Sequence, residues 1–353
     1  MSMIKTPVRT AGGKRNGLPV TKAAHMLIGV LISLLCLWLA VRHVPFSDLR
    51  SVVAGADWMW LAVAVVMELL YVLSRAQLLT VILDNEVRFI DAFWAENLGY
   101  LFTNILPLRM GDAARVLVMS QRSGLSLARV TGAAIIERVF DVFTILLALA
   151  AVFPFMNVPG RMESVGGIFA ALVLVAIAAM LFAVRFGTHA ERLIRYFCGW
   201  IPGLPVEKIL EMWRELLQGL TMLSNHRLAL RVQAYEVLSW GLNIFTYYCI
   251  MRAFQPDAGM VEAVFMVVVL CFAVSVPSSP GFIGVFQWAG QQALVLPFAA
   301  KYNLPTALAI ALISHATYYI TTSLLGALGL FQQDISFGSI RRRLTGEEPS
   351  GAL

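Results

Sequence analysis

Charge is what this sequence has least of. Only 14% of its 353 residues are Asp, Glu, Lys or Arg, against roughly a quarter in a soluble domain. With 59% hydrophobic residues, that deficit excludes an ordinary soluble protein and leaves a polytopic membrane protein. Cysteine is sparse too. Cys36, Cys198, Cys249 and Cys271 share no metal or redox spacing, so they are expected to pack as small residues, and no metal site is expected. No Gly-x-x-x-x-Gly-Lys-Ser/Thr loop occurs, which argues against direct ATP drive. His-Glu-x-x-His, paired aspartate-rich magnesium motifs and Gly-x-Ser-x-Gly are also missing. The expectation is a protein that is not an enzyme and needs no cofactor. The net charge of +6 comes from basic residues flanking apolar runs, so membrane topology accounts for it and no nucleic-acid partner is expected.

What is present is a series of long apolar runs. Six can cross roughly 30 Å of hydrocarbon: Ala23–Val41, Trp58–Leu83, Leu127–Phe153, Gly167–Val184, Leu228–Met251 and Thr306–Phe331. No small-x-small cleavage site follows the first, so it reads as a retained span. Residues 1–22 form a basic, acid-free arm, and 332–353 a short tail. Between the halves, 185–227 interleaves charged and apolar residues; from Val206 onward the spacing is helical, which reads as an amphipathic linker on the cytoplasmic membrane surface.

Two further apolar stretches, Ala92–Gln121 and Met260–Pro297, are broken. The first contains Asn104, Pro107, Arg109 and Gly111; the second contains Pro277, Ser278, Ser279, Pro280, Gly281 and Gly284. Proline removes a backbone donor and glycine loosens the chain, so a helix stops at both. Backbone freed in this way survives at membrane depth only against protein or a watery cavity. If both stretches enter and return on one side, the chain crosses six times. The segments then placed inside carry eighteen Lys/Arg and the outside loops five. Cytoplasmic termini follow from that bias. The two hairpins then enter from opposite faces, each between two full spans (58–153 and 228–331). The expected fold is therefore all-α: about six spans plus two oppositely oriented re-entrant hairpins in an inverted repeat, a layout that places a binding site at the breaks.

Ionisable residues inside spans are costly, and each is a candidate for function. Glu68 and Arg75 are seven residues apart on one helical face. Glu137, Arg138 and Asp141 cluster in mid-span, leaving one acid in excess that could take a cation or a proton, or pair with Arg109 or Arg115. Arg231 and Glu236 share the fifth span, and His315 lies mid-way along the sixth. The first hairpin carries Glu96, Asn97, Asn104, Arg109, Asp112 and Arg115, and guanidinium forks near a helix start suit a phosphate. The second offers the uncharged Ser278, Ser279 and Gln287. Tyr247, Tyr248, Tyr318 and Tyr319 read as packing residues.

The ordered motifs Asn104-x-x-Pro107-x-Arg109-x-Gly111-Asp112-x-x-Arg115, Glu137-Arg138-x-x-Asp141 and Pro277-Ser-Ser-Pro280-Gly281-x-x-Gly284-x-x-Gln287 resemble the flippase-like transmembrane region of the lysylphosphatidylglycerol synthase family, over roughly residues 20–330. The family often has glutamate at the positions of Asp112 and Gln287. The resemblance implies a lipid flippase moving a modified phospholipid or glycolipid headgroup between leaflets of a bacterial inner membrane by alternating access. Asn104, Arg109, Asp112, Arg115, Ser278, Ser279 and Gln287 would bind substrate; Glu68, Arg75, Glu137, Arg138, Asp141 and His315 would form a coupling network. The alternative is an integral-membrane enzyme or accessory subunit acting on a lipid-linked headgroup. Expected partners are the lipid, a further copy of the chain and a lipid-modifying enzyme. The chain ends about twenty residues past its last apolar run, so lipid aminoacylation by a soluble domain is not expected.

Overall fold

The computed structural model describes residues 20–106, 110–155, 187–198, 226–276 and 278–332, with 206–207, 209–211, 213–214, 338, 340 and 342. Pro107, Arg109, Pro277, the expected arm and the expected span Gly167–Val184 lie outside these, apart from the arm's last residues. Among the described residues the protein is all-helical.

α1 (Val20–Val41) and α2 (Phe46–Ala54) meet at 78°. Pro45 caps α2 and sets the corner; the sequence reading had taken this stretch as loop. α3 (Trp58–Ile82) begins where the Asp57 carboxylate accepts the Met59 N–H at 2.9 Å, an N-cap that satisfies a donor the helix leaves free. It ends in a tight turn with Asp84 and Asn85 at positive φ. α4 (Phe89–Ile105) and α5 (Gly111–Ser123) form the first hairpin, and α6 (Leu127–Val152) closes that half. α7 (Gly187–Cys198) lies in the segment read as a linker, and its Glu191 meets Arg214 at 3.0 Å. That guanidinium holds the Glu191 carboxyl below its ordinary range. The second half runs α8 (His226–Phe254), α9 (Met260–Ser275), a short turn Pro280–Phe282, α10 (Val285–Val295) and α11 (Leu304–Gln332).

At 1.5 Å per residue, about 20 residues cross a membrane. By length and apolar composition α3 and α11 qualify outright, and the bent α1–α2 pair makes a third. α6 (26 residues) and α8 (29 residues) are long enough but carry charges in mid-helix. Those three are counted among the described residues alone, and the expected span Gly167–Val184 lies outside them.

The halves share one order of elements: long helix, two short helices around a break, long helix. Their neighbours correspond as well. α3 packs along α8, α6 lies on α9 and α11 on α4, so each closing helix covers the first arm of the other half's hairpin. α10 also packs on α1, and α11 on α2.

Two apolar cores result. One gathers Leu78, Leu79, Phe102, Val118, Ile136 and Val232; the other Ala64, Ile145, Ile250, Met266, Phe286 and Ile310. Three long helices run from one core to the other, and between them each carries buried polar side chains: Glu68, Ser74 and Arg75 on α3, Glu137 and Asp141 on α6, Glu236 and Ser239 on α8. The result is a polar belt across the middle of the molecule.

Candidate functional site

The belt is built on two guanidiniums. Arg75, from α3, donates to Glu137 through Nη2, to Asp141 Oδ1 at 2.7 Å and to Glu236 Oε2 at 3.4 Å. Arg115, from α5, donates to Glu96 Oε1 at 2.6 Å and to both Glu137 oxygens at 2.9 Å. Glu137 is therefore the bridge between the two cations, and all six side chains are buried. Removing such charges from water costs several kcal/mol per ion, so only a cage of this kind makes them tolerable. Trp240 Nε1 donates to Asp141 Oδ1 at 2.9 Å, and Ser74 Oγ meets Ser239 Oγ at 2.8 Å. Arg138 lies at the half-exposed rim, with Asp112 at 2.7 Å and Asp141 Oδ2 at 3.3 Å.

Arg75, Glu96, Asp112, Arg115, Glu137, Arg138 and Asp141 line a cavity of about 500 Å³. Tyr71, Tyr100, Thr103, Trp240, Asn243, Tyr247 and Tyr318 continue its wall. The second half adds mainly apolar lining: Val267, Leu270, Phe272, Val274, Phe282 and Phe286. The cavity suits an amphiphile, since its lining offers both charged and apolar groups.

Of the residues expected to bind or couple, Arg75, Asp112, Arg115, Glu137, Arg138 and Asp141 line this cavity together. Others hold the hairpins. Asn104 Nδ2 donates to Thr322 Oγ1 at 3.1 Å and Ser323 Oγ at 2.9 Å on α11. The Ser279 N–H donates to Ser33 Oγ of α1 at 2.8 Å, and Ser278 Oγ has no hydrogen-bond partner among the described residues. Gln287 Oε1 accepts the Gly284 N–H at 2.6 Å, which turns its amide nitrogen onto His315 Nδ1 at 2.7 Å. Gly284, at φ 93, begins α10 against the Ser33 backbone. The breaks also meet: a Cβ on Gly281 would lie 3.2 Å from the Asn104 carbonyl oxygen, and Pro280 opens the same turn.

Two sets of charged residues that share a helix do not pair with each other. Glu68 is not the partner of Arg75, since seven residues separate them by about 10.5 Å along the helix; its Oε1 lacks a hydrogen-bond partner among the described residues. Glu236 pairs with Arg75 and not with Arg231, which is exposed, because five residues place the two on different faces. Tyr247 and Tyr318 line the cavity although they had been read as packing residues. Glu96 was noted as polar but left out of the site, and Trp240 was missed. A carboxylate in an apolar run signalled Glu96; nothing local signalled Trp240. Replacing Trp240 with Phe keeps the ring and removes the donor to Asp141. We expect a loss of about 1.5–3 kcal/mol, the range for a hydrogen bond to a charged group, read as a lower thermal unfolding midpoint in detergent.

A helical membrane protein with a charged, partly apolar cavity is thus the class defined by fold and site. The chain belongs to the lysylphosphatidylglycerol synthase TM region family, whose model matches residues 26–326. It is also similar to a protein from Haloferax volcanii named glycosyltransferase AglD, with 24% identity over 90% of this chain. The chain spans about half the length of that curated relative, 56%. This relative overturns the expectation that the chain is not an enzyme. The motifs whose absence suggested it belong to nucleotide-binding proteins, metalloproteases and serine hydrolases, and many enzymes carry none of them.

Proposed function

We propose that this protein moves the headgroup of a modified phospholipid or glycolipid between membrane leaflets by alternating access. The observation that carries this reading is the amphipathic cavity in the polar belt. Arg138, half exposed and held by a rim contact to Asp112, is the guanidinium that a phosphate can reach at little cost, because exposed ion pairs are weak. Arg115 is committed to Glu96 and Glu137 and sets the field behind it. Arg109 stays a candidate on sequence grounds. Asn104, Gly281, Gly284 and Gln287 shape the two breaks. The matching neighbours of the halves support an inverted repeat, in which one half rocks against the other. The basic-residue bias favours cytoplasmic termini.

The glycosyltransferase-named relative favours a second reading, an integral-membrane enzyme or accessory subunit acting on a lipid-linked headgroup, with the belt carboxylates as acid and base. Product formation by the purified protein from a lipid-linked headgroup substrate would select that reading.

Mass spectrometry of lipids that copurify tests the site common to both. Val142 lines the cavity from α6 and is exposed, so a larger side chain has room there. Val142→Trp should fill that space and remove the copurifying lipid while the protein remains monodisperse. Equal lipid content in both proteins would contradict the assignment.

A further inference from the structure

The polar belt holds an excess of acid. Arg75 and Arg115 face four buried carboxyl groups, Glu96, Glu137, Asp141 and Glu236; Glu68, the belt's fifth buried carboxyl, lies about 10.5 Å along α3 from Arg75 and only adds to the excess, and the rim pair Arg138 and Asp112 leaves the balance unchanged. Two negative charges would remain uncompensated at membrane depth, where an unpaired charge is far too costly to persist. Among the described residues no group of three or more His, Cys, Asp or Glu is placed to hold a metal ion, and a proton on the carboxyl restores neutrality without one. The hydrogen bonds show which carboxyls carry them. Glu137 accepts from both arginines, and Asp141 from Arg75, Arg138 and Trp240. Glu96 and Glu236 each bond through one oxygen only. Glu96 Oε2 and Glu236 Oε1 are buried and lack partners among the described residues. Of the two, Glu96 lines the cavity.

We propose that Glu96 is a proton-binding site opening on the cavity, protonated in the arrangement seen here and deprotonated when a positively charged group or a rearranged Arg115 replaces the proton. The proton leaves Oε2–H for water in the cavity, and the carboxylate left behind pairs fully with Arg115. The charged groups facing Glu96 are Arg115 from α5, Arg75 from α3 and Glu137 from α6. α11 and the Pro280–Phe282 turn, which also pack on α4, contribute no Asp, Glu, Lys or Arg. Glu236, shielded behind Arg75, keeps its proton throughout.

Infrared spectroscopy of the purified protein tests this without any lipid substrate. The wild-type spectrum should contain carbonyl bands of protonated carboxylic acids, with one component lost in Glu96→Gln and another in Glu236→Gln. Raising the pH should bleach the Glu96 component and spare the other. A wild-type spectrum with no acid carbonyl band, or with none that responds to pH, overturns the proposal whatever the variants do. Should Glu96→Gln not fold, Glu96→Asp must shift the pH-sensitive band; an unshifted band overturns the assignment to Glu96. The coupling of this proton to movement rests on the transport reading and has its own readout. Transfer of a fluorescent phospholipid in proteoliposomes should respond to a pH gradient in wild type and not in Glu96→Gln. A pH-sensitive infrared band without any transfer would leave the proton site standing and remove the transport reading.

Discussion

Glu137→Ala is expected to destabilise the protein by about 3–5 kcal/mol, the cost of breaking a buried ion pair and stranding its partners. The magnitude follows from its position, since it is the one carboxylate that accepts from both Arg75 and Arg115. Its removal leaves two guanidiniums short of a partner at once. The unfolding midpoint in detergent reads the loss. The contrast is Glu86→Ala, which breaks an exposed 2.6 Å pair with Arg129 and should cost less than about 1 kcal/mol. Equal effects would mean that the belt is solvated and that its charges are not held as described.

Gly111→Val should have the second large effect. A Cβ at this position would overlap the Gly99 carbonyl oxygen and the Thr103 side chain, and would lie 2.7 Å from the Thr103 backbone nitrogen. Backbone cannot yield as a side-chain tip can, so the substitution should reach or exceed the upper end of the roughly 1–3 kcal/mol cost of overpacking. It also pries α5 from α4, and with it Arg115 from Glu96. Size-exclusion profiles and unfolding midpoints should show both a smaller folded fraction and a lower midpoint. Gly241→Ala is the control: nothing lies within 4 Å of its added Cβ, and alanine in a helix interior is favoured over glycine by roughly 0.5–1 kcal/mol. It should leave the midpoint unchanged or raise it.

Much of this architecture is legible in the residue order. Apolar runs set the long helices within a few residues: Trp58–Leu83 was expected against Trp58–Ile82 found, and Leu127–Phe153 against Leu127–Val152. The breaks fall where proline and glycine forbid continuation. α2 escaped notice because nine residues with mixed polarity give no periodic signal long enough to trust. The site was legible in its members and not in its pairings. Arg115, Glu137 and Asp141 stand out because charge in an apolar run is rare. Which carboxylate meets which guanidinium depends on how α3, α5, α6 and α8 pack, and neighbours on one helix are a poor guide to that. Glu68 and Arg75 share one helix, as do Arg231 and Glu236, yet neither set meets; the acidic partners of Arg75 are 62, 66 and 161 positions away. Trp240 carries no charge to betray it, and its role follows only from the Asp141 oxygen beside it.

The same packing explains why the two hairpins differ. The first brings Glu96 and Arg115 to the belt, while the second contributes apolar wall and a turn locked by Gln287 onto Gly284. α1 completes the second hairpin by offering Ser33 to Ser279, so a helix read as lying outside the repeat is part of the structure that holds the break in shape.

The account stands or falls on whether the cavity carries lipid across. The direct measurement is leaflet transfer of a fluorescent phospholipid in vesicles reconstituted with the purified protein. Wild type should accelerate transfer over protein-free vesicles, and Val142→Trp should return it to the protein-free rate while retaining the wild-type unfolding midpoint. Transfer that is unchanged by filling the cavity, or no transfer for any phospholipid or glycolipid headgroup offered, would contradict it.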